Sequence, residues 1–187
     1  MSASRVTVDG ADFMVEVAGP ENAGVVVLLG SVQQAPAAYD PVCHRLHIAS
    51  LCTVVIAPSP RLTADSVIGI LDALQVRWGT LVGDRVGAEL AWELAATRLD
   101  RFTGLVVIDR GHPRAEDEAG QIRDEKCPPV EVATTALVST AAAAKVARAS
   151  QRFVYGDFRL VELLGRRNAG ESTAQLAAEI VMRTSTW

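Results

Sequence analysis

The chain has 187 residues, 49% hydrophobic and 21% charged, with a net charge of -4; that length suits one domain with a single sizeable core. An acidic balance, with a pI near 5.4, argues against general affinity for nucleic acid, which needs a basic face. No apolar run approaches the roughly 18 to 20 residues that span a bilayer, and Met1 to Gly10 lacks a basic region followed by an apolar stretch, so cytoplasmic residence without a membrane anchor is expected.

In chain order, short apolar runs alternate with longer amphipathic ones, the pattern of a mostly parallel sheet covered on both faces by helices. Strands are predicted at Arg5–Val8 and Asp12–Val17 around the turn Asp9-Gly10-Ala11, then at Val25–Gly30 and Thr53–Ala57. Between the last two, Cys43, His44 and His47 fall in a helix, with Cys43 and His47 on one face. Zinc would need further ligands that no nearby segment supplies, so packing is expected there and neither metal nor cofactor is. The three cysteines, Cys43, Cys52 and Cys127, show no CxxC spacing and read as reduced packing thiols.

Thr63 or Asp65 caps a helix whose Val67, Ile70, Leu71 and Leu74 recur at helical spacing. The strand Thr80–Gly83 runs into a helix over Gly87–Leu99, and the strand Gly104–Asp109 follows. Arg114–Lys126, the most polar stretch, reads as a solvated connection that Pro128-Pro129 turns into an extended entry to the strand Glu131–Val138. An alanine-rich helix over Ala141–Ala149 and a last strand over Phe153–Leu163 come next. Ser172-Thr173-Ala174-Gln175 then has the form of a capping box opening a final helix that packs Leu176, Ile180 and Val181. No repeat or second domain is visible, so residues 1–187 read as one domain.

The most informative stretch is Leu81-Val82-Gly83-Asp84-Arg85-Val86-Gly87-Ala88. Glycines two before and two after the apex of a strand-to-helix turn are the signature of a nucleophile elbow, whose apex residue is held at strained positive φ. The apex here is Arg85, which has no hydroxyl, thiol or carboxylate and cannot be deprotonated to attack or to act as a base.

With Val25-Val26-Val27-Leu28-Leu29-Gly30-Ser31, Ile56-Ala57-Pro58-Ser59-Pro60 and Leu105-Val106-Val107-Ile108-Asp109 at suitable spacing, this elbow makes the chain resemble the α/β-hydrolase family from about Arg5 to Met182. The elbow and the Trp92 after it look most like those of epoxide-hydrolase and dehalogenase relatives. The resemblance implies a three-layer α/β sandwich with a mostly parallel, roughly eight-stranded sheet. It also implies a nucleophile, an acid and a histidine on successive loops. The nucleophile position maps to Arg85. The loop after Glu131–Val138, Ser139-Thr140-Ala141-Ala142-Ala143-Ala144, holds no acid. Asn168 is the best match to the histidine position, and no histidine follows His112. Gly30-Ser31-Val32 stands where the family often has a His-Gly pair, and backbone donors there would survive the change. The short connection Arg110–Pro129 implies an absent or vestigial cap, and hence an open cleft inviting a protein partner or a second copy of the chain.

A cation at a helix N-terminus faces the positive end of the helix dipole, so Arg85 needs a negative partner. Asp109 is the favoured internal candidate, with Asp84 adjacent. The other reading is that Arg85 receives the carboxylate or phosphate of a ligand, with Asp84, Asp109, Ser31, Val32 and Asn168 around it and helix-terminal N–H groups assisting. A displaced Ser31, His112 and Asp109 triad, hydrolysing a small ester or thioester, is the catalytic alternative. The leading expectation is a non-catalytic binding or interaction module.

Overall fold

The structure, a computed structural model, describes residues 2–31, 36–164 and 169–185; Val32, Arg166, Arg167, Asn168 and Trp187 lie outside them. The strands are β1 (Ser2–Val8), β2 (Ala11–Ala18), β3 (Gly24–Leu29), β4 (Leu51–Ile56), β5 (Gly79–Asp84), β6 (Phe102–Ile108), β7 (Thr134–Val138) and β8 (Phe158–Glu162). The helices are α1 (Asp40–Ile48), α2 (Ala64–Ala73), α3 (Val86–Thr97), α4 (Ala141–Ser150) and α5 (Ala169–Thr184). All eight strands form one sheet in the order β1-β2-β4-β3-β5-β6-β7-β8. The pairings β1 to β2 and β2 to β4 are antiparallel, and the rest are parallel.

Two apolar layers flank the sheet. On one face Val67, Ile70 and Leu71 of α2, Trp92 of α3 and Ala143 and Ala147 of α4 are buried. On the other, Val42, Cys43 and Leu46 of α1 meet Ala177 and Ile180 of α5. Strand β5 is buried along its whole length, so its Leu81 and Val82 are covered from both sides. Burying each such side chain contributes roughly 1.5–3 kcal/mol. Thr63 is the cap of α2, its hydroxyl accepting from the Ser66 N–H while Ser66 Oγ accepts from the Thr63 N–H. Among the described residues no helix is long and apolar enough to cross a membrane.

Two expectations for the C-terminal third are corrected. The last strand begins only at Phe158, because Gln151–Phe153 form a 3-10 turn that carries Phe153 out of the sheet to stack on His112 at 4.9 Å. Val154 keeps a single parallel bridge to Val130, and β7 starts at Thr134 rather than Glu131. Ser172 does not cap α5, which begins at Ala169. Instead Ser172 Oγ donates to the Leu164 carbonyl, while the Gln175 amide accepts from the Leu164 N–H and donates to the Glu162 carbonyl. These side chains satisfy the backbone leaving β8, which has no further strand to pair with.

Candidate functional site at the C-terminal edge of the sheet

Strands β3 and β5 are neighbours, yet β3 leads through α1 to β4 on one side and β5 leads through α3 to β6 on the other. Such a reversal opens a crevice beyond the carboxyl ends of the strands, where doubly wound folds bind ligands. Ser31 follows β3 at this crevice; Asp84 and Arg85 close β5.

The elbow is present in full. Arg85 sits alone between β5 and α3 at φ 49°, ψ -104°, a conformation that costs a residue with a side chain about 1–3 kcal/mol. The turn closes this tightly because its flanks lack side chains. A Cβ on Gly83 would stand 2.5 Å from the Ala88 Cα, and one on Gly87 2.1 Å from the Leu29 carbonyl oxygen. The Arg85 N–H donates to the Ile108 carbonyl at 3.0 Å, tying the apex to β6.

The Arg85 side chain is 42% exposed, and its ion pair among the described residues is with Asp84 at 3.5 Å. Asp84 is buried. Its second oxygen accepts the Tyr39 hydroxyl at 2.7 Å, and that hydroxyl in turn accepts the Ser31 N–H at 3.0 Å. Burial, and then the bond to Asp84, push the Tyr39 phenol above its ordinary pKa, so it stays a protonated donor. Tyr39 therefore links the loop after β3 to the elbow.

The expected pairing of Arg85 with Asp109 is not formed. Asp109 adopts φ 52° and turns toward the end of β7, where its oxygens accept the Ser139 N–H at 2.7 Å and the Ser139 hydroxyl at 2.6 Å. Two short donors on one residue hold the carboxylate away from the elbow. Ser139 stands in the loop where the family resemblance looked for an acid.

His112 is fully buried. Its Nδ1 accepts the Arg114 N–H at 3.1 Å and its Nε2 lies 2.9 Å from the Pro128 carbonyl, which places the proton on Nε2. The ring stacks on Phe153 and meets the Trp92 edge at 5.3 Å. Burial in this aromatic box lowers its pKa to about 4, further depressed by Arg114 and Arg123 and only partly restored by the Pro128 carbonyl. Both ring nitrogens are thus engaged with backbone, Asp109 is engaged with Ser139, and the geometry that a Ser31, His112 and Asp109 relay requires is not assembled by these bonds. In α1, His47 Nε2 lies 2.9 Å from Thr53 Oγ1 and Cys43 is buried; among the described residues no group of three potential metal ligands occurs.

The connection between β6 and β7 carries no helix, only turns. It is pinned onto α3 by charge. Arg110 Nε and Arg123 NH1 both meet one oxygen of Glu89, at 2.9 and 3.2 Å, and Trp92 Nε1 donates to the Arg110 carbonyl at 3.2 Å. The stretch Arg114–Lys126, expected to be a solvated connection, therefore contributes Arg123 to a clamp, while the buried His112 and Arg110 stand just before it. Tyr39, Ser139, Glu89, Arg110 and Arg123 were not singled out from sequence. The ion-pair and carboxylate contacts among them, Tyr39 with Asp84, Ser139 with Asp109, and Arg110 and Arg123 with Glu89, join residues 21 to 45 apart, and no local spacing announces such contacts.

An antiparallel hairpin, a six-stranded parallel run, helices on both faces and an elbow between β5 and α3 define the α/β-hydrolase fold. No family model and no curated protein sequence matches the chain. Among solved structures it is similar to epoxide hydrolase A from Mycobacterium thermoresistibile, with a TM-score of 0.78 and 12% identity over 97% of each chain. It is similar to the enol-lactonase from Burkholderia xenovorans LB400, with a TM-score of 0.77 and 15% identity over 98% of this chain and 100% of that one. A hydrolase from Pseudomonas aeruginosa PA01 is similar with a TM-score of 0.72 and 16% identity, over 94% of this chain and 98% of that one. What is shared at these identities is the fold.

Proposed function

We propose that this chain is a non-hydrolytic, capless protein of the α/β-hydrolase fold that receives a small anion, a carboxylate or a phosphate, at Arg85. The observation that carries this reading is the apex of the elbow. A strained backbone, two obligatory glycines and a whole sheet-to-helix turn present a guanidinium where hydrolysis needs a nucleophile. Arg85 keeps 42% of its side chain exposed and holds Asp84 only at 3.5 Å, while Asp84 is more tightly bound by Tyr39. Donor capacity therefore remains on the guanidinium for a planar anion.

The test uses purified protein. Short activated esters are expected to show no turnover above buffer, and Ser31→Ala or His112→Ala leaves that baseline unchanged; turnover abolished by either substitution overturns the proposal. Acetate, benzoate and inorganic phosphate are expected to raise the melting temperature, and Arg85→Gly removes that response. Because glycine relieves the positive φ, the same variant is expected to gain about 1 kcal/mol without ligand. An anion response that survives in Arg85→Gly would place the ligand elsewhere.

A second reading, a protein partner or second copy seated on the open edge, is favoured by Val86, an apolar residue left 46% exposed directly after Arg85. Sedimentation of the wild type and Val86→Asp tests it. A dimer that dissociates in the variant supports this reading, and a monomer in both removes it.

A further inference from the structure

The carboxylate beside Arg85 is shared. Asp84 has a side chain only 7% exposed, and a desolvated carboxylate is costly unless donors meet it. The Tyr39 hydroxyl donates to one of its oxygens at 2.7 Å, and Arg85 NH1 approaches the other at 3.5 Å. The first is a short bond to a charged acceptor; the second stands at the limit of a hydrogen bond. The strong contact on Asp84 therefore comes from a neutral donor, and the carboxylate is only loosely joined to the guanidinium. Arg85 Nε and its second terminal nitrogen have no partner among the described residues.

The position of the Tyr39 hydroxyl is set independently of Asp84. Tyr39 is buried in the cluster that contains Val26, Leu28 and Val42. Its ring also lies against the end of β3, since a Cβ on Gly30 would stand 3.0 Å from its Cε2. The Ser31 N–H donates to its oxygen at 3.0 Å. Packing and a backbone donor thus fix the phenol, so it holds Asp84 rather than following it. Burial and then the bond to Asp84 keep it protonated, against the opposing effects of the Ser31 N–H and the Arg85 charge.

We infer, on the reading of Arg85 as an anion receptor, that Tyr39 is its positioning residue: by engaging Asp84 it keeps that carboxylate from closing a two-pronged pair on Arg85, and leaves the guanidinium to an incoming carboxylate or phosphate. Without the hydroxyl, the one donor left to the buried Asp84 carboxylate among the described residues is Arg85. A planar guanidinium can meet both carboxylate oxygens at once. The internal carboxylate then competes with the external anion for the same donors.

The test is calorimetric titration of the full chain with benzoate, in the wild type, Tyr39→Phe, Asp84→Asn and the double variant. Tyr39→Phe keeps the packed ring and is expected to bind benzoate about tenfold more weakly. Asp84→Asn removes the competing charge while its amide oxygen still accepts from Tyr39, and is expected to bind benzoate more tightly than the wild type. Adding Tyr39→Phe to Asp84→Asn is expected to change nothing, because no carboxylate is left to restrain. A tyrosine that only supports the loop after β3 would weaken binding equally in both backgrounds, and that outcome overturns the inference. An affinity in Tyr39→Phe equal to or above that of the wild type overturns it too, as does an Asp84→Asn affinity no higher than that of the wild type. No benzoate binding by the wild type overturns the anion reading of Arg85 and this inference together, whereas wild-type binding that ignores Tyr39→Phe overturns the inference alone.

Discussion

Gly87→Ala is expected to destabilise the protein by about 3 kcal/mol or more, because its added methyl group would make the closest approach among the described glycines. The new Cβ would stand 2.1 Å from the Leu29 carbonyl oxygen and 2.6 Å from its carbon. Both are backbone atoms of a buried central strand, so neither can rotate aside. Relief would require α3 to lift away from β3, opening the packing of Ala88, Ala91 and Trp92, all of which are fully buried. For a domain of this size a loss of that order lowers the melting temperature by roughly 6–12 °C. Gly120→Ala is the control. It has positive φ but nothing within 4 Å, so only backbone strain of about 1–2 kcal/mol applies. Thermal or urea denaturation of the two variants checks this, and equal losses would mean that the elbow is not closed as described.

Acidification is expected to weaken the fold through His112. Its folded pKa is about 4 against an ordinary 6.5, so the unfolded chain binds the proton more readily than the native one. The stability associated with the neutral ring is fully present above pH 6.5, declines as the pH falls through the window toward 4, and falls no further below it. A shift of that size corresponds to about 3 kcal/mol. His47, whose pKa burial also lowers, adds a change of the same sign. Urea titrations across the window separate the two, since His112→Gln removes the titrating group and leaves His47 in place. A flatter profile in His112→Gln is expected; profiles that run parallel would show that His112 is not the group responsible. The substitution itself lowers stability at neutral pH, because the ring also fills the box between Trp92 and Phe153.

The parallel strands were legible because buried strands read as continuous Val, Ile and Leu runs, and β3, β4, β5 and β6 fall within two residues of the apolar runs at Val25, Thr53, Thr80 and Gly104. The end of the chain was less legible. Phe153 has strand character, yet its ring gains more by stacking on a histidine 41 residues earlier than by extending β8. Ser172 and Gln175 carry a cap's residue types but serve the exit of β8 instead. Local pattern records propensity, and both positions are decided by partners that are distant in sequence.

The same division holds at the site. The sequence by itself determined the elbow, since two glycines at fixed spacing around Arg85 are a local steric requirement, and it determined that no nucleophile stands at the apex. Only the tertiary structure decided where the charges go. Asp109 belongs to Ser139, Asp84 to Tyr39 and Arg85, and His112 to the backbone of Arg114 and Pro128. The reason is physical: a turn's geometry is set by neighbours along the chain, whereas a buried polar group must find whichever partner the packed fold brings within hydrogen-bond reach.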